Sequence, residues 1–119
     1  MLIDDGRPLF EQIAEQLERQ ILDGTLAEEA QAPSTNELAA FHQINPATAA
    51  KGLNALVGQG ILYKKRGIGM FVSTGAREKL LGRRRDEFVH EYVEPLLAQA
   101  QRLGIDRDHV IAMIKEGRK

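Results

Sequence analysis

The chain has no cysteine. That absence removes disulfide scaffolds, thiolate metal sites, iron–sulfur clusters and cysteine nucleophiles together. No apolar run approaches the roughly 20 residues needed to span a bilayer. Bases are missing from the first residues, Met1-Leu2-Ile3-Asp4-Asp5, where an export signal requires them. A cytoplasmic protein without membrane contact is expected. Serine is nearly absent: Ser34 and Ser73 stand alone, and neither lies in a nucleophile elbow. His42, His90 and His109 have no metal-ligand spacing. With no catalytic constellation, the expectation is a protein that is not an enzyme and holds no metal or cofactor.

What is present is ordinary for a folded domain. Of 119 residues, 43% are hydrophobic and 28% charged, too apolar a mixture for disorder. At roughly 100–200 residues per domain, the length suits one domain, or one small domain with an appendage. The formal net charge is −1, yet it divides unevenly. Residues 1–73 carry six bases and nine acids, whereas residues 74–119 carry ten bases and eight acids. Half of the bases in the first segment sit together at Lys64-Lys65-Arg66. A segment that is acidic overall binds nucleic acid only if its positive charge is focused on one face.

Periodicity organises the chain into helices and one hairpin. Pro8 suits a first helical position, where its missing N–H costs nothing. Phe10, Ile13, Leu17 and Ile21 then form one apolar stripe, and Gly24 supplies the C-terminal stop. Residues 25–33 lack periodicity and read as a loop. Ser34-Thr35-Asn36-Glu37 is a capping box opening a short second helix. Asn45-Pro46 opens a third, with Asn as N-cap and Pro as first helical residue. Pro46 biases Asn45 away from helical dihedrals, so the two helices stay separate. The third runs to about Gln59, burying Ala49, Leu53, Leu56 and Val57, and Gly60 closes it. Two short helices joined by a tight turn have helix-turn-helix geometry. Ile61-Leu62-Tyr63 and Met70-Phe71-Val72 flank Lys64-Lys65-Arg66-Gly67-Ile68-Gly69, a hairpin with bases and glycines at its tip.

After Thr74-Gly75 the period is helical again. Leu81, Phe88, Tyr92, Leu96 and Leu103 share a stripe with Val89 beside it, and Pro95 is expected to kink or break it. Asp106 caps a last helix bearing Val110, Ile111 and Ile114. The expected fold is mainly α with a small β-hairpin wing: a winged helix-turn-helix over 1–74 and a two-helix dimerisation region over 75–119. So short a tail cannot bury its own stripe. The stripe must pack on residues 1–73 or on a second copy. Because the first segment already has its own three-helix core, Leu81, Phe88, Val89, Tyr92, Leu96, Leu103, Val110 and Ile114 are assigned to a homodimer interface.

Several motifs follow one another in a recognisable order: Pro8-Leu9-Phe10-Glu11-Gln12-Ile13, Asp23-Gly24-Thr25-Leu26, Pro33-Ser34 with Glu37-Leu38-Ala39, Asn45-Pro46-Ala47-Thr48, Leu56, Gly60-Ile61-Leu62 and Gly67-Ile68-Gly69-Met70-Phe71-Val72. In this order and spacing the chain resembles GntR-family transcriptional regulators over about residues 8–72. The Asn-Pro-x-Thr opening and the short helical tail resemble the YtrA-like subfamily, in which a small two-helix region replaces a large ligand-binding domain. The resemblance implies a dimeric, sequence-specific DNA-binding regulator of a bacterial operon. Its third helix would enter the major groove, and its wing would touch the minor groove or backbone. Many members carry arginine at the positions of Asn36 and Pro46, so two guanidinium contacts per protomer are missing here.

The candidate DNA contacts are Ser34, Thr35 and Asn36 at the second helix and Asn45, Pro46, Ala47, Thr48 and Lys51 at the third. Lys64, Lys65, Arg66, Gly67 and Gly69 of the wing complete the set. Both helix starts are expected to offer unpaired N–H groups and a positive dipole end to phosphates. Ala47 and Ala50 are small enough to approach base edges and thymine methyls. Ser34 and Asn45 are caps whatever the function, and Arg83-Arg84-Arg85 reads as a solvated face. An inverted-repeat operator with half-sites about 10 base pairs, or a multiple of that, apart is expected. Four bases per protomer bound the salt slope of log affinity at about −7. The acidic balance of residues 1–73 leaves open an adaptor that holds a partner protein on the same scaffold. A small effector between the C-terminal helices would act on the half-site geometry.

Overall fold

In the computed structural model, Leu2 and residues 5–117 are described. The N-terminal positions Met1, Ile3 and Asp4, read above for an export signal, lie outside the described residues. Two compact units are present, 1–81 and 82–119.

The first unit is built on three helices. Helix α1 (Leu9–Asp23) buries Ile13, Leu17 and Ile21, and ends at Gly24 with φ 86°. Pro8 is its N-cap, one residue earlier than the sequence pattern placed it. Helix α2 (Thr35–His42) carries the full capping box of Ser34 and Glu37. Helix α3 (Pro46–Gly58) begins at the Asn45 cap. The turn between α2 and α3 needs a left-handed residue, and Gln43 fills it with φ 55°. Ala49, Leu53 and Leu56 of α3 meet the α1 stripe together with Leu38 and Ala39. Gly52 permits the close crossing of α1 and α3. A Cβ there would stand 2.9 Å from both the Phe10 carbonyl oxygen and Ile13 Cγ2.

Strands β1 (Leu62–Lys65) and β2 (Gly69–Val72) form an antiparallel hairpin in the register Leu62↔Val72, Tyr63↔Phe71, Lys64↔Met70 and Lys65↔Gly69. Leu62 and Val72 plug its base into the core. The segment read as a plain loop joins this sheet. Glu29 N–H donates to Val72 O (2.8 Å), Val72 N–H to Ala30 O (3.0 Å) and Ala32 N–H to Met70 O (2.8 Å). Ala30-Gln31-Ala32 alternates apolar and polar over only three residues and has no β-branched or aromatic side chain, too short and weak a pattern to mark this third strand-like edge. Backbone hydrogen bonding alone creates it.

Helix α4 (Ala76–Phe88) starts in the first unit, where Ala76 and Leu80 are part of the core. The unit therefore reaches past the division at residue 74 that the sequence pattern suggested. Glu28 holds this start by accepting hydrogen bonds from the Gly75 and Arg77 N–H groups at 3.0 and 3.2 Å.

In the second unit α4 passes into a π-helical turn (Val89–Val93) and then α5 (Glu94–Arg102). Pro95 does not break the helix. The Glu94 N–H reaches back five residues to Val89 O, and this wider turn gives the proline ring room it would lack in an α-turn. Helix α6 (Arg107–Lys115) is capped by Asp106, whose Oδ1 accepts from His109 N–H at 2.8 Å. Among the described residues, no helix is long and apolar enough to cross a membrane.

Candidate nucleic-acid interface

The amino end of α3 differs from the expectation of free donors. Asn45 Oδ1 accepts from Ala47 N–H at 2.8 Å, while Asn45 O accepts from both Thr48 N–H (2.9 Å) and Ala49 N–H (3.2 Å). Pro46 has no N–H to offer. The first turn of α3 is thus self-satisfied, and what it presents outward is side chain. Asn45, Pro46, Ala47, Lys51 and Asn54 are exposed and Thr48 and Ala50 half-buried, whereas Ala49, Gly52, Leu53 and Leu56 face inward. Small residues flanked by an amide and an ammonium make a slim helical edge. Lys51 leans back towards α1, its Nζ 4.2 Å from the Phe10 ring centroid, a contact worth roughly 0.5–1 kcal/mol at an exposed site.

At α2 the pattern is mixed. Ser34 Oγ accepts from Glu37 N–H (3.1 Å), Glu37 Oε1 accepts from Ser34 N–H (2.8 Å), and Leu38 N–H goes to Ser34 O (3.0 Å). Among the described residues, the N–H groups of Thr35 and Asn36 have no hydrogen-bond acceptor. Hydrogen bonds from Ser34 hold the Glu37 carboxyl below the usual carboxylate range, so a negative charge already sits at this helix end. Phosphate attraction must therefore come chiefly from basic side chains. Asn36 is exposed on the outer side of α2.

The wing separates bases that are adjacent in sequence. Successive strand residues point to opposite faces, so Lys64 shares the face of Leu62 while Lys65 shares that of Tyr63. Lys65 Nζ lies 4.3 Å from the Phe71 ring centroid and 5.9 Å from that of Tyr63. Its charge also helps to lower the pKa of Glu29, after the larger effects of hydrogen bonds from the Thr74 and Tyr63 hydroxyls. The sequence pattern grouped Lys64, Lys65 and Arg66 at one tip. In the fold Lys64 lies within β1, while Lys65 and Arg66 are the first two residues of the turn, which is closed by Ile68 N–H to Lys65 O at 3.0 Å. Gly67, third in that turn, has φ 77°, a conformation that favours glycine.

Three residues of this region make arrangements at the wing that the sequence did not announce. Ile68 is 62% exposed beside Arg66. Gln31 Nε2 donates to Ile68 O at 3.1 Å. Glu29 accepts hydrogen bonds from Tyr63 Oη and from Thr74 Oγ1, the latter at 2.6 Å. Each depends on chain segments about 35 to 45 residues apart, and no local spacing announces such a meeting. Among the described residues no group of three or more His, Asp or Glu is placed to hold a metal ion.

In the second unit Phe88, Val89, Tyr92, Leu96, Leu103 and Ile114 are all exposed, with Tyr92 at 63% and Leu103 at 71%. The Phe88 and Tyr92 rings lie 5.6 Å apart. Val110 departs from the expected interface set: it is buried, like Ala100, because the close approach of α6 to α5 covers it. Leu81 is half-buried and belongs to the first unit.

Comparison with known proteins matches this architecture. The profile "Bacterial regulatory proteins, gntR family" matches residues 9–72. The HTH-type transcriptional repressor YtrA of Bacillus subtilis (strain 168) is 29% identical over 109 residues, 92% of this chain and 83% of that protein. A GntR-family putative transcriptional regulator from Bacteroides thetaiotaomicron superposes with a TM-score of 0.74 at 34% identity, covering 90% of this chain and 93% of the other. The DNA-binding domain of AraR, solved in complex with operator ORX1, is 30% identical with a TM-score of 0.55, covering 60% of this chain and 87% of that one. With the matched region spanning all three helices and the wing, the chain belongs to the GntR family of bacterial regulatory proteins and is a transcriptional regulator.

Proposed function

We propose that the protein is a homodimeric repressor that binds a double-stranded, inverted-repeat operator of a bacterial operon in the cytoplasm. The exposed edge of α3 carries the reading: Pro46, Ala47, Lys51 and Asn54 face out while the opposite side of the same helix fills the core. Such an edge can lie in a major groove, with the alanines near thymine methyls and Asn54 or Asn36 at an adenine edge. Lys64 and Arg66 contact the backbone or minor groove. The first unit reads DNA and the second pairs the protomers. The exposed apolar residues of 82–119 support pairing, since so small a unit cannot bury them alone. The operator complex of AraR supports the DNA partner, and the repressor name of YtrA supports the sign of regulation.

The test is a salt titration on a footprinted duplex. The four bases per protomer (Lys51, Lys64, Lys65, Arg66), eight per dimer, bound the slope of log affinity against log salt at about −7. A slope near zero rejects the reading, and recovery of a protein partner in place of DNA favours the adaptor. In parallel, Tyr92→Glu in sedimentation equilibrium yields a monomer; an unchanged dimer removes the assigned interface.

A further inference from the structure

We infer that Gln31 is the positioning residue of the wing, its side-chain amide fixing where the tip stands relative to the start of α2. This rests on the operator-binding reading above. A hairpin of two four-residue strands is marginal on its own. The backbone bonds that brace it from residues 29–32 reach only to Met70, with Gln31 bridging Phe71. Nearer the tip, among the described residues, the brace from outside the hairpin is the Gln31 amide, donating from Nε2 to Ile68 O at 3.1 Å. Gly69 makes this possible. It has φ 146°, and a Cβ on it would stand 2.5 Å from Gln31 Nε2, where the amide now sits.

The consequence concerns geometry more than stability. Gln31 is exposed, so its bond adds little to folding. Three residues further along, however, the same strand-like segment becomes Ser34, the cap of α2. One short stretch therefore sets both the start of α2, with Thr35 and Asn36, and the position of Arg66 and Ile68. Without the amide, the turn pivots about Met70, and the DNA contacts of the wing and of α2 are no longer held in one arrangement. Specificity needs both to engage together, so Gln31 acts through Arg66 and Ile68 without touching DNA itself.

The experiment uses the full chain and a duplex that the wild-type protein selects from a random-sequence library. Gln31→Met keeps the length of the side chain and removes its donor. The expected loss of affinity is roughly three- to tenfold, the equivalent of one positioned hydrogen bond. The salt slope should flatten by about 1 to 2 as wing–phosphate contacts are released. Thermal stability should stay nearly constant, and amide relaxation in the free protein should report a more mobile Arg66–Gly69 turn. In a double-mutant cycle, Gly69→Ala should harm binding less in the Gln31→Met background than in the wild type, because the methyl group then displaces no hydrogen bond. An unchanged turn mobility in Gln31→Met overturns the inference whether or not DNA binds. An affinity loss that tracks a fall in stability with an unaltered slope overturns it too. Failure of the wild type to select any duplex counts instead against the operator reading.

Discussion

The close crossing of α1 and α3 makes Gly52 the most informative single position for stability. Replacing glycine by alanine inside a helix ordinarily stabilises it by roughly 0.5–1 kcal/mol, because the unfolded chain loses freedom and the helix gains propensity. At Gly52 the new methyl group meets the Phe10 carbonyl oxygen and Ile13 Cγ2, both at 2.9 Å. One obstacle is backbone, so relief requires α1 to move and not merely a side chain to rotate. Overpacking of this kind costs about 1–3 kcal/mol, which offsets or exceeds the propensity gain. Gly58 is the internal control. It lies in the same helix, has an ordinary backbone conformation, and has open space within 4 Å of the position a Cβ would take. Gly58→Ala should therefore stabilise by about 0.5–1 kcal/mol. The two variants should differ by about 1–3 kcal/mol in the order Gly58→Ala above Gly52→Ala. Urea unfolding followed by far-ultraviolet circular dichroism, at one fixed protein concentration because pairing shifts the apparent value, measures the gap. Equal stability of the two, or a more stable Gly52→Ala, would refute the claim that the helices touch through this glycine.

The Glu29 carboxyl is held below its usual range by hydrogen bonds from Thr74 and Tyr63. Its contribution is complete above the unfolded value of about 4.3 and is lost as pH falls through the lowered folded value. Glu29→Gln should flatten stability against pH in that acid window, and a profile as steep as wild type would sink the assignment. The same bond pushes the Tyr63 phenol above its ordinary value. In a Tyr92→Phe background, which leaves Tyr63 as the only tyrosine, Glu29→Gln should return tyrosinate formation to about pH 10; no movement in the absorbance titration contradicts the contact. Lys64→Ala and Arg66→Ala should weaken all duplexes alike and, with two copies removed per dimer, each reduce the salt slope by about 2. Asn36→Ala should instead alter the preferred bases in a selection experiment. Indistinguishable behaviour of the two classes would erase the division between positioning and reading.

The helices were legible because their signals are local. The stripe of Phe10, Ile13, Leu17 and Ile21, the Ser34–Glu37 box and the Asn45-Pro46 opening each involve residues within a few turns of one another, and α1, α2 and α3 start and stop within a residue or so of those marks. Pro95 misleads because a proline states only which hydrogen bond is missing, not how the helix absorbs the gap. Here a π-turn, with Glu94 N–H closing on Val89 O, makes room for the ring and keeps the helix running. The start of α3 misleads for the opposite reason. Its caps were visible, yet their effect is to use up the very donors that had been expected to face phosphates.

Short-range patterning in the amino-acid order thus determined which segments are helical, where the hairpin turns and which side of each helix is apolar, since those properties depend on neighbours a few bonds apart. Tertiary structure alone decided that Ala30-Gln31-Ala32 lines the sheet, that Val110 turns inward, and that Glu29 and Gln31 fasten the wing. These depend on distant segments arriving side by side, and a hydrogen bond between residues 34 or 37 positions apart leaves no trace in the spacing of either one.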